Sequence, residues 1–305
     1  MNRRQALKCA AAGTMALWAA PHTRAAWQSG PVAHLTDKLA LLNGGGTNVL
    51  ALSMGDGLVL VDSGAPGSGS ELGAALDGVA PDSEVRMLFN THYHPDNTGN
   101  NEQFGRAGAR IIAHDRTHQW MSTDYWLPGE NRYEPARSKA AWPTETFFYT
   151  GSMEAGGERI DYGHLLMAHT GGDMYVHFRD SNVLAVGDVA SPVKDPELDW
   201  ISGGWIGGRV DAMDLLLGIG DEETRIVPGT GPVMSYAEFK AERDLMELVR
   251  QRLFTQIRKG DGAQEMLDAG VMEGLGRTWD DPYKFLYAAA RGLWGNHNKL
   301  DEDGI

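Results

Sequence analysis

Residues 90–100 read Asn-Thr-His-Tyr-His-Pro-Asp-Asn-Thr-Gly-Asn and set His92, His94 and Asp96 on alternate positions. In extended backbone, alternate side chains share one side, so two imidazoles and a carboxylate can converge on one cation. A His-x-His pair alone is weak evidence of a site, so the spacing calls for partners elsewhere. His169 in MAHTGGD and Asp188 in LAVGDVAS each follow a strand-like run, and Pro-Gly-Thr-Gly at 228–231 supplies a turn after another. A third imidazole from a distant strand end closes three corners of a tetrahedron and leaves the fourth for water, the pattern of a catalytic zinc. The chain has ten histidines and one cysteine, Cys9, which lies in the N-terminal stretch. Any transition metal must therefore be held by imidazoles and carboxylates.

Taken in chain order, Asp62 in LVLVDSG, the His92 loop, His169, Asp188 and the 228–231 turn resemble the successive motifs of the metallo-β-lactamase superfamily. The resemblance covers most of residues 35–234 and implies an α/β fold, an αββα sandwich of two mixed sheets with helices outside and a metal at one edge. It implies metal ligands at His92, His94, His169 and Asp188, and a second metal held by Asp96, Asp188 and two further imidazoles. Here those two positions are Asn97 and Thr230, neutral oxygen-bearing residues that make poor zinc ligands. The expectation is one zinc, with a second metal weak or absent, and Asp96 free to orient or deprotonate the attacking water. Asp62 is read as a tie that holds the site loop, and His114 in IIAHD, the one nearby candidate for a substitute ligand, as a strand-end residue facing solvent or a pocket rim.

The activity so implied is a zinc-dependent hydrolase in which hydroxide on the metal attacks an ester, thioester, lactone or lactam. Two other readings stay open. One is a mono-iron sulfur dioxygenase of the same fold using His92, His169 and Asp188; the other is a non-catalytic, degenerate binding protein marked by Asn97 and Thr230.

The elements that must position these residues can be read from patterning. Strands are expected at 35–42, 48–52, 58–62, 85–90, 109–113, 165–168, 174–178, 183–186 and 226–227, with helices at 70–79 and 97–107. A long amphipathic helix at 236–259 and shorter ones at 263–269 and 282–293 form a C-terminal extension, 236–305, beside a main domain at 26–235. The stretch 118–152 reads as an irregular, aromatic-rich loop. Trp126, with Trp200 and Trp205 in the glycine-rich DWISGGWIGG run, are candidate pocket walls.

The 27 Lys and Arg against 41 Asp and Glu give a net charge of −14. Such an acidic chain repels nucleic acid and anionic lipid, so a small-molecule substrate is the expected partner. Residues 1–25 carry a basic start, an apolar run too short to span a bilayer and small residues near Ala25, the layout of an export signal. Arg3-Arg4 resembles a twin-arginine signal, which implies periplasmic export with no membrane anchor after processing.

Overall fold

Side-chain alternation along the strands sorts the apolar residues into three layers around two sheets. The computed structural model describes residues 32–127 and 131–300. The proposed leader at 1–25 lies outside them. In the first sheet, β1 (Val32–His34), β2 (Leu39–Asn43), β3 (Asn48–Ser53) and β4 (Leu58–Val61) run antiparallel. Beyond them β5 (Val85–Phe89), β6 (Arg110–His114) and, after the separate hairpin of β7 (Tyr125–Leu127) and β8 (Arg132–Glu134), β9 (Glu145–Phe147) continue in parallel. The second sheet has the order β10 (Thr150–Ala155), β11 (Glu158–His164), β12 (Met174–Phe178), β13 (Val183–Gly187), β14 (Arg225–Pro228) and β15 (Met234–Ser235). Only β13 and β14 are parallel within it.

Leu50, Leu52, Val59 and Val61 point between the sheets and meet Val176, Phe178, Val183 and Ala185 there. Their neighbours Val49, Ala51, Leu58 and Leu60 point outward onto α1 (Gly69–Val79) and the Phe104 side of α3 (Asn101–Arg106). On the second sheet, Leu184 and Val186 face α5 (Ile206–Ile219), α6 (Tyr236–Ile257), α7 (Ala263–Asp268) and α8 (Pro282–Leu300). Each such buried aliphatic contributes on the order of 1.5–3 kcal/mol relative to exposure, which explains why period-two patterning decides the layers. The result is the αββα sandwich, with the C-terminal helices sharing one apolar cluster with α5. Helix α6 starts at a capping box in which Ser235 and Glu238 satisfy each other's backbone N–H. No helix among the described residues is long and apolar enough to cross a membrane.

Four expectations about elements need correction. The strand expected at 35–42 begins only at Leu39, because residues 35–38 turn, the Leu35 and Thr36 N–H groups donating to the Leu39 carbonyl. The helix expected at 97–107 is two short pieces, α2 (Pro95–Thr98) and α3, because the Gly99 N–H donates to the Gly64 carbonyl rather than to a helical partner. A β-carbon at Gly99 would lie 2.2 Å from the Pro66 nitrogen, so the close return of the loop onto residues 64–66 requires glycine. The strand expected at 165–168 is a turn: Leu165 N–H donates to the Asp173 carbonyl, and Met167 has φ of 55°. The stretch 118–152 is structured as well, holding the end of α4 (Asp115–Ser122), the β7–β8 hairpin and β9.

Candidate metal centre

Parallel strands bring their C-terminal ends to one edge, and that edge collects Asp62 after β4, residues 90–97 after β5, Asp188 after β13 and residues 228–231 after β14. Asp62 sits at φ 61° and organises the loop beside it: Oδ1 accepts from Thr91 N–H at 2.8 Å, and Oδ2 from Thr91 Oγ1 and Asn97 Nδ2, each at 2.8 Å. Burial pushes this carboxyl up to about 7, against the pull of Asn97 and Thr91. Asn48 ties the opposite turn, its Nδ2 donating to the Pro228 and Gly231 carbonyls at 2.7 and 2.9 Å.

His92, His94 and His169 come together, one ring nitrogen from each lying within 4.8 Å of the other two. Bonds of about 2.0–2.1 Å to a tetrahedral zinc would put such nitrogens about 3.3 Å apart, so small adjustments suffice to hold an ion. Which nitrogen faces inward is fixed from outside. Thr91 gives its proton to Asp62, so its oxygen accepts from His92 Nδ1 at 3.1 Å and leaves Nε2 as an acceptor. The Glu197 carbonyl takes the Nδ1 proton of His169 at 2.9 Å, again leaving Nε2. Asp199 Oδ2 lies 3.4 Å from His94 Nε2, which leaves Nδ1.

Two of these inward acceptors, His169 Nε2 and His94 Nδ1, face each other at 3.0 Å, and His92 Nε2 is buried with no hydrogen-bond partner. A cation shared between nitrogens so placed would relieve opposed lone pairs, and nitrogen donors suit zinc or another borderline transition metal. The residues therefore fit one ion. Burial, with the neighbouring His169 and His94, holds the His92 imidazole well below its ordinary range, as a ligand that must stay neutral requires. Burial also opposes protonation of His94, but the bond and charge of Asp199 outweigh it and raise that group.

Asp188 stands outside the three-donor group. Its Oδ2 lies 2.9 Å from Lys194 Nζ, and its Oδ1 is buried without a partner. Burial resists ionisation, yet His169, His92 and Lys194 together keep the carboxyl far below the usual range. Gly229 packs against it so closely that a β-carbon there would lie 2.0 Å from Oδ1. Asp96 is half-exposed, its Oδ2 4.0 Å from the same ammonium. Asn97 is wholly buried, its Nδ2 donating to Asp62, while its Oδ1 and the Thr230 hydroxyl are buried without a partner. His114 is stacked on His164, ring centroids 3.6 Å apart, and takes no part in the cluster.

The tryptophans divide by role. Trp205 packs into the helical core, Trp200 lies near the Arg291 guanidinium, and Trp126 is exposed against Tyr133 on the β7–β8 hairpin. The aromatics that do support the site are Trp120, Tyr125 and Trp142, which form a satellite cluster around Tyr93 between the two loop histidines. Tyr93 donates its hydroxyl proton to Asp199 at 2.5 Å. Tyr93, Lys194, Asp199 and the Glu197 carbonyl escaped the sequence reading. The one available signal was Asp199 beside the Trp200 already singled out.

With this geometry in hand, comparison with known proteins gives a consistent picture. The family model described as the metallo-beta-lactamase superfamily matches residues 42–229. No curated protein matches the chain by sequence. Among solved structures, a metallo-beta-lactamase from Pontibacter korlensis is similar at TM-score 0.57 and 19% identity, over 71% of this chain and 98% of its own. The DIM-1 metallo-beta-lactamase is similar at TM-score 0.55 and 18% identity, over 71% of this chain and 96% of its own. The stereoselective inverting sec-alkylsulfatase Pisa1 from Pseudomonas sp. is similar at TM-score 0.63 and 14% identity, over 87% of this chain but 50% of its own, so this chain spans about half of that protein. At such identities the likeness establishes the fold.

Proposed function

This chain belongs to the metallo-beta-lactamase superfamily, and from that premise we propose that it is a hydrolase working with one zinc ion held by His92, His94 and His169. The observation that carries the reading is the convergence of three imidazole lone pairs whose tautomers are set from outside by Thr91, Asp199 and the Glu197 carbonyl. Outer partners of this kind orient the ligands and raise their basicity. A zinc ion so held supplies Lewis acidity and brings the pKa of water toward neutrality.

The chain's own residues do the rest. Asp62 and Tyr93 brace the loop that carries His92 and His94. Asp96, half-exposed and two residues beyond His94, is the carboxylate available to orient the attacking water or take its proton. Asp188 lies outside the group that His92, His94 and His169 form and gives its Oδ2 to Lys194, which favours the three-imidazole set over an iron site built from His92, His169 and Asp188. The substrate class is an ester, thioester, lactone or lactam, and the likeness to a sec-alkylsulfatase adds alkyl sulfates to the set to be tried. Export to the periplasm through the segment at 1–25 completes the proposal.

The test is metal analysis of protein purified without added metal, run beside a panel of those substrates. The expected result is about one zinc per chain and hydrolysis of at least one class, abolished by chelation and restored by zinc. Zinc-loaded protein inert across the panel, or iron with oxygen uptake on a persulfide, would overturn it.

A further inference from the structure

The place beside the three imidazoles where the superfamily resemblance implies a second metal does not fit one. Its two remaining carboxylates both face Lys194, whose Nζ lies 2.9 Å from Asp188 Oδ2 and 4.0 Å from Asp96 Oδ2. Asn97 Nδ2 is turned to Asp62, and the buried, unpartnered Asn97 Oδ1 and Thr230 Oγ1 add only neutral oxygen, a poor match for zinc. A divalent ion there would meet a positive charge already paired with Asp188 and 4.0 Å from Asp96.

Lys194 is held in place by its backbone surroundings. Arg277 donates to the carbonyl oxygens of Ser191 and Lys194. Arg209, wholly buried, donates to Ser191 Oγ at 2.9 Å and the Glu197 carbonyl at 3.3 Å, with Glu242 3.6 Å away. Glu242 accepts the Ser191 N–H at 2.8 Å, and Asp195 accepts the N–H groups of Asp280 and Asp281. Residues 191–197 are thus fastened to α5, α6 and the chain leading into α8. Burying an Arg–Glu pair brings a desolvation cost, so its return is better sought in where it puts the loop than in stability.

We propose that Lys194 is a fixed cation standing where a second metal ion would, paired with Asp188 and adjacent to Asp96, and keeping the centre mononuclear. This rests on the reading of the three imidazoles as a metal site. The test is a zinc titration of the metal-stripped full chain against a chromophoric chelator, with ions per chain counted by native mass spectrometry, repeated with magnesium. The unaltered chain should bind one zinc and no magnesium. Lys194→Ala should bind a second zinc at least about tenfold more tightly than any second binding by the unaltered chain, because the opposing charge is gone. Lys194→Arg, which keeps the charge, should stay at one. Lys194→Gln keeps most of the stem and a donor for Asp188, and carries the same expectation as alanine if the alanine variant does not fold. One zinc in both the unaltered and the neutral variants, with no gain, would overturn the role of Lys194 and leave the metal centre standing. So would two ions, zinc or magnesium, in the unaltered chain. No zinc in the unaltered chain would refute the metal reading, and this inference with it.

Discussion

Two neighbouring positions on one sheet edge solve the same electrostatic problem in different ways. At the first, His92, His94 and His169 turn neutral lone pairs inward, each fixed from behind, and nothing covalent balances them. At the second, Asp188 and Asp96 turn negative oxygens toward an ammonium that the chain itself carries. The first position is built to receive a cation and the second already contains one. If Lys194 plays the part proposed for it, Asn97 and Thr230 are the residues of a one-metal centre rather than marks of a decayed site.

If the first position holds the metal, His169→Ala should have the largest effect, since removing a ligand should exceed the about 10–100-fold loss of affinity typical of an outer partner. Metal content and turnover should fall together; full zinc retention would show that His169 is not a ligand. Asp96→Asn separates the positions differently. It should leave one zinc bound and lower kcat by about 10²-fold, the scale of lost general-base assistance. Stripping of the metal would make Asp96 a ligand, and unchanged kcat would make it a structural tie.

Asp199→Asn comes next, because it weakens the partner that sets the His94 tautomer while leaving all three imidazoles. Zinc affinity should drop about 10-fold to 100-fold, read by chelator competition, and an unchanged affinity would mean that Tyr93 and the backbone suffice to orient the ring. The smallest effect concerns histidines away from the metal. Burial, with His164 beside it, holds His114 down at about 4, and burial lowers His164 too. Both are neutral in the fold, whereas the unfolded chain binds protons below about 6.5. The stability they contribute is complete above that value and is lost as pH falls toward 4. His114→Asn keeps an acceptor for the Arg116 N–H and should flatten the fall in Tm between pH 6.5 and 4.5. An unaltered slope would place the acid sensitivity elsewhere.

The sequence revealed most of what is periodic or clustered. Strands such as Leu58–Val61 and Val183–Gly187 are continuous apolar runs, and the ligand candidates follow strands in a fixed order. It concealed what depends on distant partners. Lys194 sits in an aperiodic stretch, SPVKDPELD, and acquires meaning only beside Asp96, far away along the chain. Arg209 lies within a helix where a cation ordinarily faces solvent, yet it is completely buried. The turn at 165–168 is pinned at both ends by Asp173, whose carbonyl accepts the Leu165 N–H and whose carboxylate accepts the His169 and Thr170 N–H groups just beyond it. Strands of three residues, such as Tyr125–Leu127, are too short to show alternation, so the aromatic stretch looked irregular.

X-ray absorption at the zinc edge of the loaded full chain tests the contrast between the two positions most directly. The account predicts three imidazole nitrogens at about 2.0–2.1 Å with one further light donor. It also predicts no metal–metal scattering at the about 3.5–4 Å of two-metal sites, even with excess zinc. A metal–metal vector at that distance, or a first shell with fewer than three imidazoles, would contradict it.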